Sequence, residues 1–83
     1  MRLPRNVSGD DLIAALARLG YAPTRQRGSH IRLTTEQNGK HDVTVPRHES
    51  LRVGTLASIL RDVAAHFEIT RDDLIERLFT DNG

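Results

Sequence analysis

The 83-residue sequence contains no cysteine. That excludes a disulfide framework, a thiolate nucleophile and any Cys-based zinc or iron–sulfur site, and leaves the chemistry to His, carboxylates, hydroxyls and Arg. Aromatic residues are almost absent: Tyr21, Phe67 and Phe79 are the only three, too few for a protein that stacks successive bases on aromatic platforms. The longest unbroken apolar run, Leu12 to Ala17, is six residues, where a bilayer span needs about 20. Arg2 and Arg5 have no apolar stretch behind them, so no secretory signal is read and a cytoplasmic location is expected. There is no Gly-rich phosphate loop, no His pair spaced for one helix face and no acidic cluster beside a His, so neither a metal nor a small-molecule cofactor is expected. Repeats, low-complexity segments and linkers are missing too, and residues 1–83 are expected to fold as a single domain.

What is present is an uneven distribution of charge. The net charge of +1 averages over three unlike parts. Residues 1–17 are balanced, residues 18–61 carry eight basic residues against three acidic ones, and residues 62–83 carry two Arg against six acids. Eleven of the twelve basic residues are Arg, whose planar fork suits bidentate phosphate contact better than the point charge of lysine does. The middle of the chain is the part suited to an anionic partner, although solvated surface Arg would give the same count.

The hydrophobic spacing places the elements. Ser8 followed by Asp11 resembles a capping box, with Asp in the usual Glu position, and Leu12, Ile13, Leu16 and Leu19 then recur at helical spacing. Gly20 is the expected left-handed stop. Thr24–Gln26, Ser29–Thr35 and His41–Val45 read as short strands divided by Arg27-Gly28 and by a loop containing Asn38-Gly39. Leu56, Ile59, Leu60, Val63 and Phe67 predict a second helix starting near Gly54-Thr55. Thr70 with Asp73 caps a third, short helix bearing Leu74, Ile75, Leu78 and Phe79. Asp81-Asn82-Gly83 should fray. The predicted fold class is α+β: helix, three-stranded antiparallel sheet, helix, short helix.

Side-chain alternation tests the register, because a slip of one residue turns every side chain to the opposite face. A three-residue loop Gln37-Asn38-Gly39 pairs Leu33 with Val43 and Ile31 with Val45, whereas a two-residue loop would set Leu33 against Thr44. The three-residue loop, with Gly39 left-handed, is therefore expected. A two-residue Arg27-Gly28 turn in the first hairpin sets Thr24 opposite Ile31 and Arg25 opposite His30. Leu12, Leu16, Leu19, Leu56, Ile59, Leu60 and Val63 should then cover the apolar sheet face, leaving His30, Arg25 and Arg32 together on the exposed one.

Three segments resemble the successive motifs of the HicA toxins, small bacterial mRNA interferases of toxin–antitoxin pairs. They are Arg25-Gln26-Arg27-Gly28-Ser29-His30, then Val45-Pro46-Arg47-His48, then Gly54-Thr55-Leu56 with Ile59-Leu60-Arg61. The likeness runs from about Asp11 to Leu78. It implies a double-stranded-RNA-binding-domain-like fold, cleavage of mRNA, silencing by a cognate HicB-type antitoxin, and a catalytic His in the Gly-Ser-His motif, the position His30 holds. With one lysine in the chain, the lysines that double-stranded-RNA binders commonly place at the start of the second helix have no counterpart.

The residues themselves are compatible with that implication. RNA is cleaved without metal when its 2′-hydroxyl is deprotonated to attack the adjacent phosphate, and an imidazole can act as base or acid near neutral pH. The extra negative charge on the pentavalent phosphate needs cations, and Arg25 and Arg32 flank His30. Arg27, Arg47 and His48 complete the candidate RNA-binding set. Two roles fit His48: RNA contact and protonation of the leaving group. His41 and His66 read as structural. Ser29 and His30 are neighbours on a strand and point to opposite faces, which disfavours a Ser-His dyad. Two other classes stand beside the nuclease. A non-catalytic RNA-binding module would use the same basic face. A DNA-binding regulator is poorly supported, because the second and third helices expose Asp62, Glu68, Asp72, Asp73 and Glu76.

Overall fold

A computed structural model of the chain describes residues 3–79. Asp81-Asn82-Gly83, expected to fray, lie outside the described residues. The elements in order are α1 (Gly9–Leu16), a 3-10 turn (Ala17–Leu19), β1 (Ala22–Arg27), β2 (His30–Thr35), β3 (His41–Pro46), α2 (Val53–Phe67) and α3 (Arg71–Phe79). This is the predicted α+β order. Among the described residues, no helix is long and apolar enough to cross a membrane.

The capping box of α1 is complete: Ser8 Oγ accepts from the Asp11 N–H at 2.9 Å, and the Ser8 N–H donates to Asp11 Oδ2 at 3.1 Å. Both satisfy donors that a helix start leaves without intrahelical partners. The helix tightens into the 3-10 turn and ends at Gly20, whose φ of 82° is the left-handed stop the sequence predicts. Thr70 Oγ1 accepts from the Asp73 N–H at 3.1 Å at the start of α3. The start of α2 has no such signal, since its N-cap is Arg52 and no side chain caps it.

The sheet order is β1-β2-β3, antiparallel throughout. Leu33 pairs with Val43 and Ile31 with Val45, as predicted, and Gly39 is left-handed with φ 93°. Asn38, also at positive φ, shares that turn. The first hairpin differs from the prediction. Its turn is Gly28-Ser29, so Arg27 faces His30 and Arg25 faces Arg32. The cause is the Gly28 φ of 54°, which makes glycine the first residue of the turn, where a left-handed start is needed, instead of the second. The correction moves the pairing by two residues, an even number, and so keeps Arg25 and Arg32 on the face of His30. A register irregularity between Pro23 and Arg25 then brings Pro23 opposite Leu33.

The buried apolar residues form one cluster. Leu12, Leu16 and Leu19 join Leu56, Ile59, Leu60 and Val63 against Ile31, Leu33, Val43 and Val45, all of them buried. Leu74, Ile75 and Leu78 add α3, which packs on α1 and α2. The helices gather under β2 and β3, while β1 is exposed along its whole length and forms an open edge. Pro23, the irregularity beside it and two arginines suit such an edge, since each discourages pairing with another strand.

Candidate nucleic-acid interface and its histidine cleft

The exposed sheet face collects cations at one end. Arg25, Arg27, Arg32 and His30 surround a basin of about 130 Å3 whose remaining wall is Thr44. No carboxylate lines it, and among the described residues none of the three arginines has an ion-pair or hydrogen-bond partner. Arg25 and Arg32 are direct cross-strand partners, a like-charge pairing that costs stability in a sheet and that a bound anion would offset. Towards the β2–β3 loop the face changes character. There Arg25 and Arg32 meet Glu36, Lys40 and Asp42, and Thr34 Oγ1 donates to Asp42 Oδ1 at 2.6 Å. The cationic surface is thus confined to the His30 end.

His30 also borders a second hollow. A cleft of about 510 Å3 is lined by His30, Pro46, His48, Leu51, Arg52 and Thr55, so His30 stands on the ridge between the arginine basin and this cleft. The His30 and His48 rings lie 6.5 Å apart, centroid to centroid, with planes at 72°. Because the uncapped start of α2 borders the cleft through Arg52 and Thr55, that wall combines a guanidinium with the positive end of a helix dipole. Thr44 and Arg52 were not among the candidate site residues read from the sequence, and Thr55 entered only through the Gly54-Thr55-Leu56 motif.

Arg47 lines neither hollow. Its Nε and a terminal guanidinium nitrogen donate to the two carboxylate oxygens of Asp10 at 2.8 and 3.2 Å. The Arg47 hydrogen bond is the first cause of an Asp10 carboxyl held below the ordinary aspartate range, and Arg47 is raised in turn. The Arg47 N–H donates to the Ser29 carbonyl at 2.6 Å, the Gly9 N–H to the His48 carbonyl at 2.8 Å, and the Leu51 N–H to the Val7 carbonyl at 2.8 Å. The loop carrying His48 is therefore tied to the start of β2 and to the start of α1. Gly9 permits the second tie, since a Cβ there would overlap the Pro46 carbonyl oxygen.

The four histidines divide into two pairs. His41 and His66 stack at 4.4 Å, nearly parallel. His41 Nδ1 shares a 2.7 Å hydrogen bond with the Tyr21 hydroxyl, its Nε2 reaches Asp62 at 3.3 Å, and His66 Nε2 donates to the Gln37 carbonyl at 2.9 Å. Burial first, and the Asp62 charge second, push the Tyr21 hydroxyl above its ordinary range. This pair ties the β2–β3 loop to α2, as the structural reading of His41 and His66 anticipates. By contrast, the ring nitrogens of His30 and His48 bond to nothing among the described residues. Those two imidazoles are exposed.

One family model, described as the HicA toxin of bacterial toxin-antitoxin, matches residues 9–64. The match covers α1, the whole sheet, the His48 loop and nearly all of α2, and so includes every residue of the two hollows. No curated protein and no solved structure matches the chain.

Proposed function

The chain belongs to the HicA family, toxins of bacterial toxin–antitoxin pairs, and from that membership we propose that it is a metal-independent endoribonuclease acting on mRNA, with His30 as the catalytic base. The observation that carries the reading is the position of His30, a hydrogen-bond-free imidazole on the ridge between three unpaired arginines and an open cleft. RNA brings its own nucleophile, so the step needs no metal-activated water. His30 takes the proton of a 2′-hydroxyl, the 2′-oxygen attacks the adjacent phosphorus, and the bond to the 5′-oxygen of the next nucleotide breaks. The products are a 2′,3′-cyclic phosphate and a 5′-hydroxyl end. Arg25, Arg27 and Arg32 hold the RNA backbone beside His30 and offset the charge that builds on the phosphate oxygens. In this reading Arg47 supports the site through the loop it braces, and a HicB-type antitoxin silences the toxin by covering the arginine face. A complex that left His30 open to solvent would contradict that mode of inhibition.

The test is His30→Ala. Its side chain leaves an exposed position, so stability should change by no more than the ~0.5 kcal/mol usual for surface substitutions, while cleavage should fall by about 10² to 10⁴, the usual worth of general acid–base catalysis. A thermal melt and a cleavage assay in chelator measure both. RNA binding should persist. A variant that folds and cleaves at the parent rate would remove His30 from the mechanism, and a parent protein that binds RNA without cutting it would make the chain the non-catalytic module.

A further inference from the structure

Removing a proton from the nucleophile is half of the reaction. The departing 5′-oxygen leaves as a poor alkoxide unless a second group protonates it, and in an in-line displacement the attacking and leaving oxygens lie on opposite sides of phosphorus. The acid must therefore face the base across one phosphate. Arg25, Arg27, Arg32 and Arg52 are poor candidates, because a guanidinium does not release its proton in proteins. No Asp or Glu lines either hollow.

We propose that His48 is the general acid, so that His30 and His48 work as a pair on the two sides of the scissile phosphate. This inference rests on the endoribonuclease reading and adds a second catalytic residue to it. Three observations support it. The rings are 6.5 Å apart, centroid to centroid, with planes at 72°, close enough for both imidazoles to reach one phosphate lying over the cleft. Both rings line one cleft, and neither has a hydrogen-bond partner among the described residues. The third is the way the His48 backbone is fixed. An exposed loop with no apolar duty at His48 is tied by Gly9 to the His48 carbonyl, by Arg47 to Asp10 and by the Arg47 N–H to Ser29, the residue before His30. Those ties set the two imidazoles relative to each other without using either ring.

The step balances. His30 accepts the 2′-hydroxyl proton as the 2′-oxygen–phosphorus bond forms; His48, protonated at the outset, gives its proton to the 5′-oxygen as the phosphorus–oxygen bond breaks. His30 ends protonated and His48 neutral, and exchange with water restores both.

The experiment compares parent, His48→Ala and His30→Ala on two short oligoribonucleotides spanning a cleavage site first mapped on a longer transcript. One is ordinary RNA; the other carries sulfur in place of the bridging 5′-oxygen at that site, and a thiolate departs without a proton. On ordinary RNA His48→Ala should be slower by about 10²-fold or more. On the sulfur-bridged substrate it should recover to near the parent rate, while His30→Ala, which lacks the base, should stay slow on both. Because only the His48 ring is removed and its carbonyl tie remains, a melt should match the parent. His48→Ala cutting ordinary RNA at the parent rate, or slowed equally on both substrates, would overturn the acid role and leave the nuclease reading intact. Rescue of His30→Ala instead would reverse the two assignments and overturn the proposal as stated. Parent-rate cleavage of ordinary RNA by His30→Ala would sink the underlying reading.

Discussion

Arg47 and Asp10 meet as a two-pronged ion pair on the surface between α1 and the His48 loop. Exposed pairs contribute little to global stability, so the worth of this one lies in position. Its pH behaviour follows from the Asp10 carboxyl being held below its ordinary range by the Arg47 hydrogen bond. A carboxyl lowered in the folded state stabilises at and above the ordinary aspartate range, and that contribution fades as pH falls through the lowered value. An NMR titration should accordingly place Asp10 below the ordinary aspartate range, and Arg47→Ala should return it towards that range. High salt should narrow the difference. An Asp10 midpoint indifferent to Arg47→Ala would mean that the pair does not hold in solution. From sequence, Arg47 reads as an RNA contact, because its partner lies 37 positions away and no local pattern joins them. His30 is different: strand parity alone assigns its face.

At the scale of elements, the β2–β3 register is legible because Ile31, Leu33, Val43 and Val45 alternate and only one loop length brings them together. The β1 strand offers no such constraint. Ala22–Arg27 contains no large apolar residue and is exposed throughout, so its register depends on which side of Gly28 the turn falls, and that is decided by backbone conformation. The cleft is harder still to read. Arg52 and Thr55 join His30 only because the loop after β3 folds back under the start of α1, a tertiary contact that has no periodic signature. Gly9 makes that contact. An ordinary glycine in a helix gains about 0.5–1 kcal/mol when replaced by Ala. At Gly9 the sign should reverse, because a Cβ overlaps the Pro46 carbonyl oxygen and would lie 2.7 Å from Arg47 Cα, and overpacking typically costs about 1–3 kcal/mol. Gly9→Ala should therefore lower the midpoint of a denaturant melt and slow cleavage through displacement of His48. An unchanged or higher midpoint would show that the loop and α1 separate easily.

Over the whole molecule the charges sort by layer. The arginine basin occupies the outer sheet face at the His30 end, while the acid-rich last segment includes α3, packed on α1 and α2 with Asp72 and Asp73 in its first turn. A distribution of this kind orients an approaching polyanion, with the arginine end leading. It also predicts how binding responds to salt. Each phosphate neutralised on single-stranded RNA releases counterions, giving a slope of log K against log salt of about −0.7 per contact, so three arginines acting together should contribute roughly −2. The measurement uses His30→Ala, which should bind RNA without consuming it. Adding Arg32→Ala should make the slope shallower by about 0.7, and so should Arg25→Ala, whereas Arg71→Ala, on α3, should leave it nearly unchanged although it removes the same formal charge. That contrast separates a localised phosphate clamp from a diffuse field. If Arg71→Ala flattened the slope as much as Arg32→Ala does, RNA would be answering to net charge, and the basin beside His30 would lose its claim to clamp the RNA backbone.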